Sequence, residues 1–241
     1  MKKISILAVA AMALLSLSCR KEDPRPFTYY EATVTFKPSS DGSYFLEQDD
    51  KTALVVTNNS WQKYPFPDGK EKRAYIRYGV YGDVIPTHNI PGYDETWDIM
   101  LIAADTIRTK SPVVYSPDKE DDYGNDPIGL YLGNDVFPTT LIEDGYLNVS
   151  FEFMAGSLGI THEINLLTNV DPNDPYTVEL RHNAHDSYEI NRAQGLMDFP
   201  LKNLPDTEGR TVTLTLKWLS LVTGKYEQTT FDYCSRTDWQ D

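Results

Sequence analysis

Thr211-Val212-Thr213-Leu214-Thr215-Leu216-Lys217-Trp218 alternates polar and apolar residues without a break. Successive side chains of a strand point to opposite sides, so Val212, Leu214, Leu216 and Trp218 share one face and the threonines and Lys217 the other. The same period of two recurs outward from this stretch, at 226–233 downstream and at 195–201, 176–182, 160–167 and 146–153 upstream. Between these runs stand turn formers, as in Asp171-Pro172-Asn173-Asp174-Pro175 and Asp206-Thr207-Glu208-Gly209. With no helix to cover a face, these strands must bury their faces against each other, which predicts a sandwich.

The earlier half follows the same logic. Ala32, Val34 and Phe36 share a face against Glu31, Thr33, Thr35 and Lys37, and Ala74, Ile76, Tyr78 and Val80 alternate against Arg73, Tyr75, Arg77 and Tyr81. Tyr44-Phe45-Leu46 and Leu54-Val55-Val56 are short apolar runs, and Asp41-Gly42 marks a turn. Residues 99–107 read as a strand buried on both faces where Ile99-Met100-Leu101-Ile102 are consecutive. About five strands with long loops suit a small OB-type barrel as well as a partial sandwich, and periodicity does not separate the two. The acidic stretch 116–127, broken by Pro117, Gly124 and Pro127, marks the expected domain boundary. Nowhere does a long run keep a stripe of period 3.6, so the fold class is all-β.

Ahead of these strands, Lys2 and Lys3 precede an apolar run at 4–17. That run is too short for a hydrocarbon core of about 30 Å, which needs about twenty residues, so it reads as a secretory signal. Cys19 follows at once. The arrangement resembles a bacterial lipoprotein signal, in which that cysteine is lipidated, and Lys21-Glu22-Asp23 looks like the acidic export tags of surface lipoproteins in Bacteroidetes-type bacteria. One acyl chain holds a protein only marginally, at about 0.8 kcal/mol per buried CH₂, so the resemblance implies two or more. The expected address is the outer membrane, lipid-anchored at the cell surface. Pro24 and Pro26 make the segment after Cys19 an extended tether, which at roughly 3.1–3.3 Å per residue holds the folded part about 25–30 Å from the headgroups.

The leader carries two of the 22 basic residues and none of the 36 acidic ones, so the mature chain is more acidic still than the formal charge of −14 for the whole. Such a chain repels phosphate backbones, which argues against nucleic acid as a partner. It also repels anionic lipid, so attachment falls to the anchor. With Cys19 consumed by lipid, Cys234 is left alone, no disulfide framework can form within the chain, and the thiol beside Tyr233 is expected to pack as a small apolar residue.

Tyr146-Leu147-Asn148-Val149-Ser150-Phe151, His162-Glu163-Ile164-Asn165-Leu166 and the run from Tyr176 to Asn183 resemble the C-terminal β-sandwich of NigD-like lipoproteins. Tyr75-Ile76-Arg77-Tyr78 and Ile107-Arg108-Thr109-Lys110 look like that family's N-terminal OB-type domain. The resemblance covers nearly the whole mature chain and rests on a strand pattern. It implies a signal peptide at 1–18, a lipidated cysteine and tether at 19–28, an OB-type domain at 29–126 and a sandwich at 127–241. Through the family name it also carries a suggestion of bacteriocin immunity. No functional residue set comes with it.

Candidate sites are few. Trp61, Tyr64 and Phe66 stand in a loop punctuated by Pro65, Pro67 and Gly69, where on an OB fold they would contact a glycan or a surface protein; the bland alternative is a plug for one barrel end. Asp105-Thr106-Ile107 resembles the tripeptide at which Bacteroides-type bacteria attach O-glycans, which makes Thr106 the acceptor. His162-Glu163 begins like a zinc-protease motif, but position 166 is Leu and the segment alternates as a strand, so the motif fails. His182 and His185 would share a metal only on a turn, and the better reading is a polar hairpin cap. The carboxylates of 118–126 lack calcium-loop spacing and read as a solvated connector. No nucleophile elbow, phosphate loop or CxxC is present. The sequence thus calls for no cofactor, metal or enzyme activity, and points to a binding or protective surface protein, with a fimbrial subunit or glycan-binding accessory as rivals.

Overall fold

The computed structural model describes residues 26–39, 43–49, 51–57, 69–82, 88–133, 138–156, 159–187 and 191–239. Five strands close the first lobe: β1 (Phe27–Pro38), β2 (Tyr44–Asp49), β3 (Thr52–Val56), β4 (Lys72–Tyr81) and β5 (Glu95–Thr106). Around the barrel they run β1-β2-β3-β5-β4, with β3 and β5 parallel and the other neighbours antiparallel, the five-stranded arrangement of the OB type. The alternation read from the sequence fills its core with Val34, Phe36, Leu46, Leu54, Ile76, Tyr78, Ile99 and Leu101. The apolar run 99–102 is not buried throughout. A register shift opposite Arg77 and Tyr78 turns Ile102 outward, because a bulge re-aims the residues beside it.

The second lobe contains β6 (Arg108–Thr109), β7 (Val113–Val114), the one-turn helix α1 (Glu120–Tyr123), β8 (Gly129–Leu130), β9 (Leu141–Glu143), β10 (Tyr146–Ala155), β11 (Glu163–Thr168), β12 (Thr177–Asn183), β13 (Asn191–Pro200), β14 (Val212–Leu219) and β15 (Tyr226–Tyr233). One sheet has the order β6-β13-β10-β8 with β9 also on β10, and the other β15-β14-β12-β11-β7. Leu147, Val149 and Phe199 meet Leu166, Val178, Leu180, Leu214, Leu216 and Trp218 in the shared core. The sandwich is mainly antiparallel, but β12 with β14, β11 with β7 and β13 with β6 pair in parallel.

Strand pairing passes from barrel to sandwich between Thr106 and Arg108, so the acidic stretch sits within the sandwich side rather than between the lobes. Asp118, Asp121 and Asp122 are exposed as expected, but the stretch is docked rather than a free connector. Arg181 donates to Glu120 Oε1 at 2.7 Å and to the Gly124 carbonyl at 3.3 Å, and the Ala184 N–H donates to Asp126 Oδ2 at 2.6 Å. Tyr123 is buried beneath it. The docking is close enough that Gly124, at φ +69°, leaves no room for a Cβ against the backbone of Asn183.

Candidate functional site between the lobes

Thr35, Lys37 and Arg73 lie on the outer face of the barrel, opposite the core residues Val34, Phe36 and Ala74, yet all three are buried. They are covered by the outer face of the sandwich. Thr35 and Arg73 are cross-strand partners on β1 and β4, and they meet Asn148 and Asp198, cross-strand partners on β10 and β13. The Arg73 guanidinium joins the two pairs. It donates through Nε to Asp198 Oδ2 at 2.9 Å, through Nη1 to Thr35 Oγ1 at 2.7 Å and through Nη2 to Asn148 Oδ1 at 2.6 Å. Its plane also stands 5.0 Å over the Tyr146 ring, a cation–π contact.

A second knot forms beside the first. β9 and β10 are joined by Asp144-Gly145, with φ +47° and +73°, the two left-handed residues of a type I′ hairpin turn. The turn aims Asp144 at the barrel. Thr35 Oγ1 donates to its Oδ2 at 2.5 Å and Lys37 Nζ to its Oδ1 at 3.3 Å. Lys37 also pairs with Glu47. From the segment after β15, Arg236 donates to Asp144 at 3.2 Å, to Glu71 at 2.5 Å and to Asp238 at 2.6 Å. Three buried cations therefore tie barrel and sandwich together through carboxylates.

Burial governs the acids here. It pushes Glu143 up to about 8, with the nearby Arg73 charge pulling the other way. It raises Glu47 as well, reinforced by the charge of Asp144, and raises Asp198 against the pull of Arg73. A carboxyl raised from 4.5 to about 8 binds its proton more tightly when folded. Its stabilising contribution is complete below the unfolded value and is lost as pH rises through the folded one. Glu143→Gln is therefore expected to gain on the wild type by at least about 1 kcal/mol between about pH 5 and pH 8.5, read from urea denaturation at stepped pH. A gap that stays constant over that range would contradict the burial effect.

Beside the knot a cleft of about 650 Å³ opens between the lobes. Asp49, Asp94 and Glu95 line it from the barrel and Glu143, Asp144 and Asp232 from the sandwich, with Lys51 as the one base. With Glu143 held protonated at neutral pH by its burial, Asp49, Asp94, Glu95, Asp144 and Asp232 still outnumber Lys51, so the lining suits a cationic group better than an anion. Sequence reasoning did not find this site. Asp144-Gly145 ahead of an alternating run was the available signal, since Asp-Gly between two strands predicts a hairpin.

The sequence-predicted residues fall elsewhere. Cys19, Trp61, Tyr64 and Phe66 lie outside the described residues. Thr106 is exposed at the end of β5, opposite Ala74. Cys234 does not pack inward. Tyr233 takes the buried position of the pair, and the exposed thiol borders the cleft. His182 and His185 do not converge. His182 is buried, and its Nδ1 donates to the Pro127 carbonyl at 3.2 Å, so its Nε2 must accept from His162 Nδ1 at 2.9 Å. Burial lowers the pKa of both rings. His185 sits in the left-handed turn after β12, facing Glu163 at 3.7 Å. Among the described residues no three His, Cys, Asp or Glu are grouped to hold a metal ion.

Residues 111–233, which run from β7 through β15, match the family described as the NigD-like C-terminal beta sandwich domain. Among solved structures, a protein described as toxin-related from Parabacteroides distasonis is 30% identical, with a TM-score of 0.68 over 86% of this chain and 94% of that one. A NigD-like immunity protein from Bacteroides caccae shares the fold at 19% identity and a TM-score of 0.59, over 87% and 99% of the two chains. So does a protein described as a lipoprotein from Bacteroides fragilis, at 12% identity and 0.54, over 88% and 99%. No curated protein matches. With more than half of its length matched, and with a barrel of the expected order ahead of the sandwich, the chain belongs to the NigD-like family.

Proposed function

We propose that this chain is a lipid-anchored protein of the bacterial outer surface that works by binding, protecting the cell that carries it, with the acidic cleft between its lobes receiving a cationic partner. The observation that carries the proposal is the order of leader, cysteine and fold. Cys19 directly follows the apolar run, and β1 begins at Phe27, so the barrel stands at the root of the anchor. A role in protection draws support from the immunity protein of Bacteroides caccae and from the toxin-related protein of Parabacteroides distasonis. A segment rich in Lys and Arg would complement the carboxylates of the cleft, and charge of this kind speeds encounter and rejects wrong partners. No catalytic chemistry is assigned.

The test is fractionation of cells expressing the wild type and Cys19→Ala. The wild type is expected in the outer-membrane fraction, cleavable by protease added to intact cells, with acyl chains on its amino-terminal peptide by mass spectrometry. Cys19→Ala is expected to leave that fraction. Retention of the variant in the membrane, or an unmodified Cys19 peptide from the wild type, would defeat the proposal.

A further inference from the structure

We infer that the aromatic end of the barrel, where β1 starts and β4 finishes, is a second membrane contact that rests against the lipid surface holding the anchor. Tyr29, Tyr30, Tyr81 and Ile102 are half of the eight large apolar or aromatic side chains that stand exposed among the described residues, and they gather in one place. Tyr29 is 72% exposed. The rings are braced rather than loose. Phe27 lies edge-on to Tyr29 with centroids 4.7 Å apart and 4.6 Å from Tyr81, while Tyr30 stacks on Tyr78 at 5.4 Å. A rigid cluster of tyrosines, each apolar in body and polar at the tip, is what the headgroup region favours.

Charge and chain length select the bilayer as occupant. The groove of about 540 Å³ in this patch is lined by Tyr29, Tyr30, Ile102 and two ionisable residues, Glu31 and Arg77, which face each other across β1 and β4 and offset one another. On a chain of formal charge −14 this face is neutral, so anionic headgroups do not repel it. It is also at the tether. The eight links from Cys19 to Phe27 reach at most roughly 26–29 Å when fully extended, and any slack in them lets the patch come down onto the bilayer that holds an acylated cysteine. The inference rests on the anchored reading above.

The test uses the full mature protein in vesicles of phosphatidylethanolamine with a minority of phosphatidylglycerol, containing a lipid that bears a nitroxide just below the headgroup. In a Cys234→Ser background, Tyr29→Cys and Ile102→Cys are each labelled with a small fluorophore, and Val222→Cys, exposed between β14 and β15 of the sandwich, serves as reference. Quenching at 29 and 102 is expected to exceed that at 222 by about threefold or more. Equal quenching at all three sites on protein whose amino-terminal peptide carries acyl chains would overturn the inference and leave the anchor standing. An unacylated peptide would remove the anchored reading and the inference together.

Discussion

Arg73→Ala is expected to remove about 3–5 kcal/mol of unfolding free energy, a large part of what a domain of this size holds. Arg73 is 3% exposed, and its guanidinium donates hydrogen bonds to Asp198, Thr35 and Asn148. Asp198 is wholly buried, and its Oδ1 already has no partner among the described residues. Taking away the cation strands a carboxylate where water does not reach, and that cost exceeds the worth of the pair itself. Urea denaturation monitored by tryptophan fluorescence reads the effect. Adding Asp198→Asn to Arg73→Ala should restore at least about 1 kcal/mol, because the stranded charge is then gone. If Arg73→Ala costs less than about 1 kcal/mol, water enters the interface and the lobes are not joined as described.

Gly145→Ala is expected to cost about 2–4 kcal/mol by two separate routes. Its φ of +73° lies where an L residue is strained by about 1–2 kcal/mol. A Cβ there would also stand 2.8 Å from both Arg236 Cβ and Trp239 Cζ2, too close for either to stay put. Arg236 Cβ is fixed to the backbone, so relief must come from the whole segment after β15, and with it go the contacts of Arg236 to Glu71 and Asp144. Trypsin should therefore cut after Arg236 faster in the variant than in the wild type, before global unfolding. Unchanged cleavage with lowered stability would assign the cost to the turn alone.

The strands that form the two cores were legible because one face of each meets apolar partners. Val212, Leu214, Leu216 and Trp218 declare their face by type, and so do Val34, Phe36, Ala74 and Ile76. The period of two says which residues share a side but not what covers that side. Thr35, Lys37 and Arg73 look like a solvated face in sequence, and they became the join between lobes only because Asn148, Asp198 and Asp144 arrive from far along the chain. β6 and β7 are two residues each, too short to carry any period, so composition drew attention to the acidic stretch instead. That stretch in turn looked like a free connector because nothing in its own residues reveals that Arg181 will draw Glu120 onto β12.

The parallel pairing of β6 with β13 and of β7 with β11 has a consequence for how the chain matures. A polypeptide emerging amino-end first can close its barrel as soon as β5 is out, but β7 must wait for β11, and β6 for β13. Until then two unpaired edges and the unmatched Arg73 face whatever else is in transit, and long-range pairings of this kind are slow to form. The interval between arrival of the first lobe and completion of the second is therefore when a holding factor has most to grip. Slowing the emergence of β13 should lengthen that vulnerable window without altering the finished molecule.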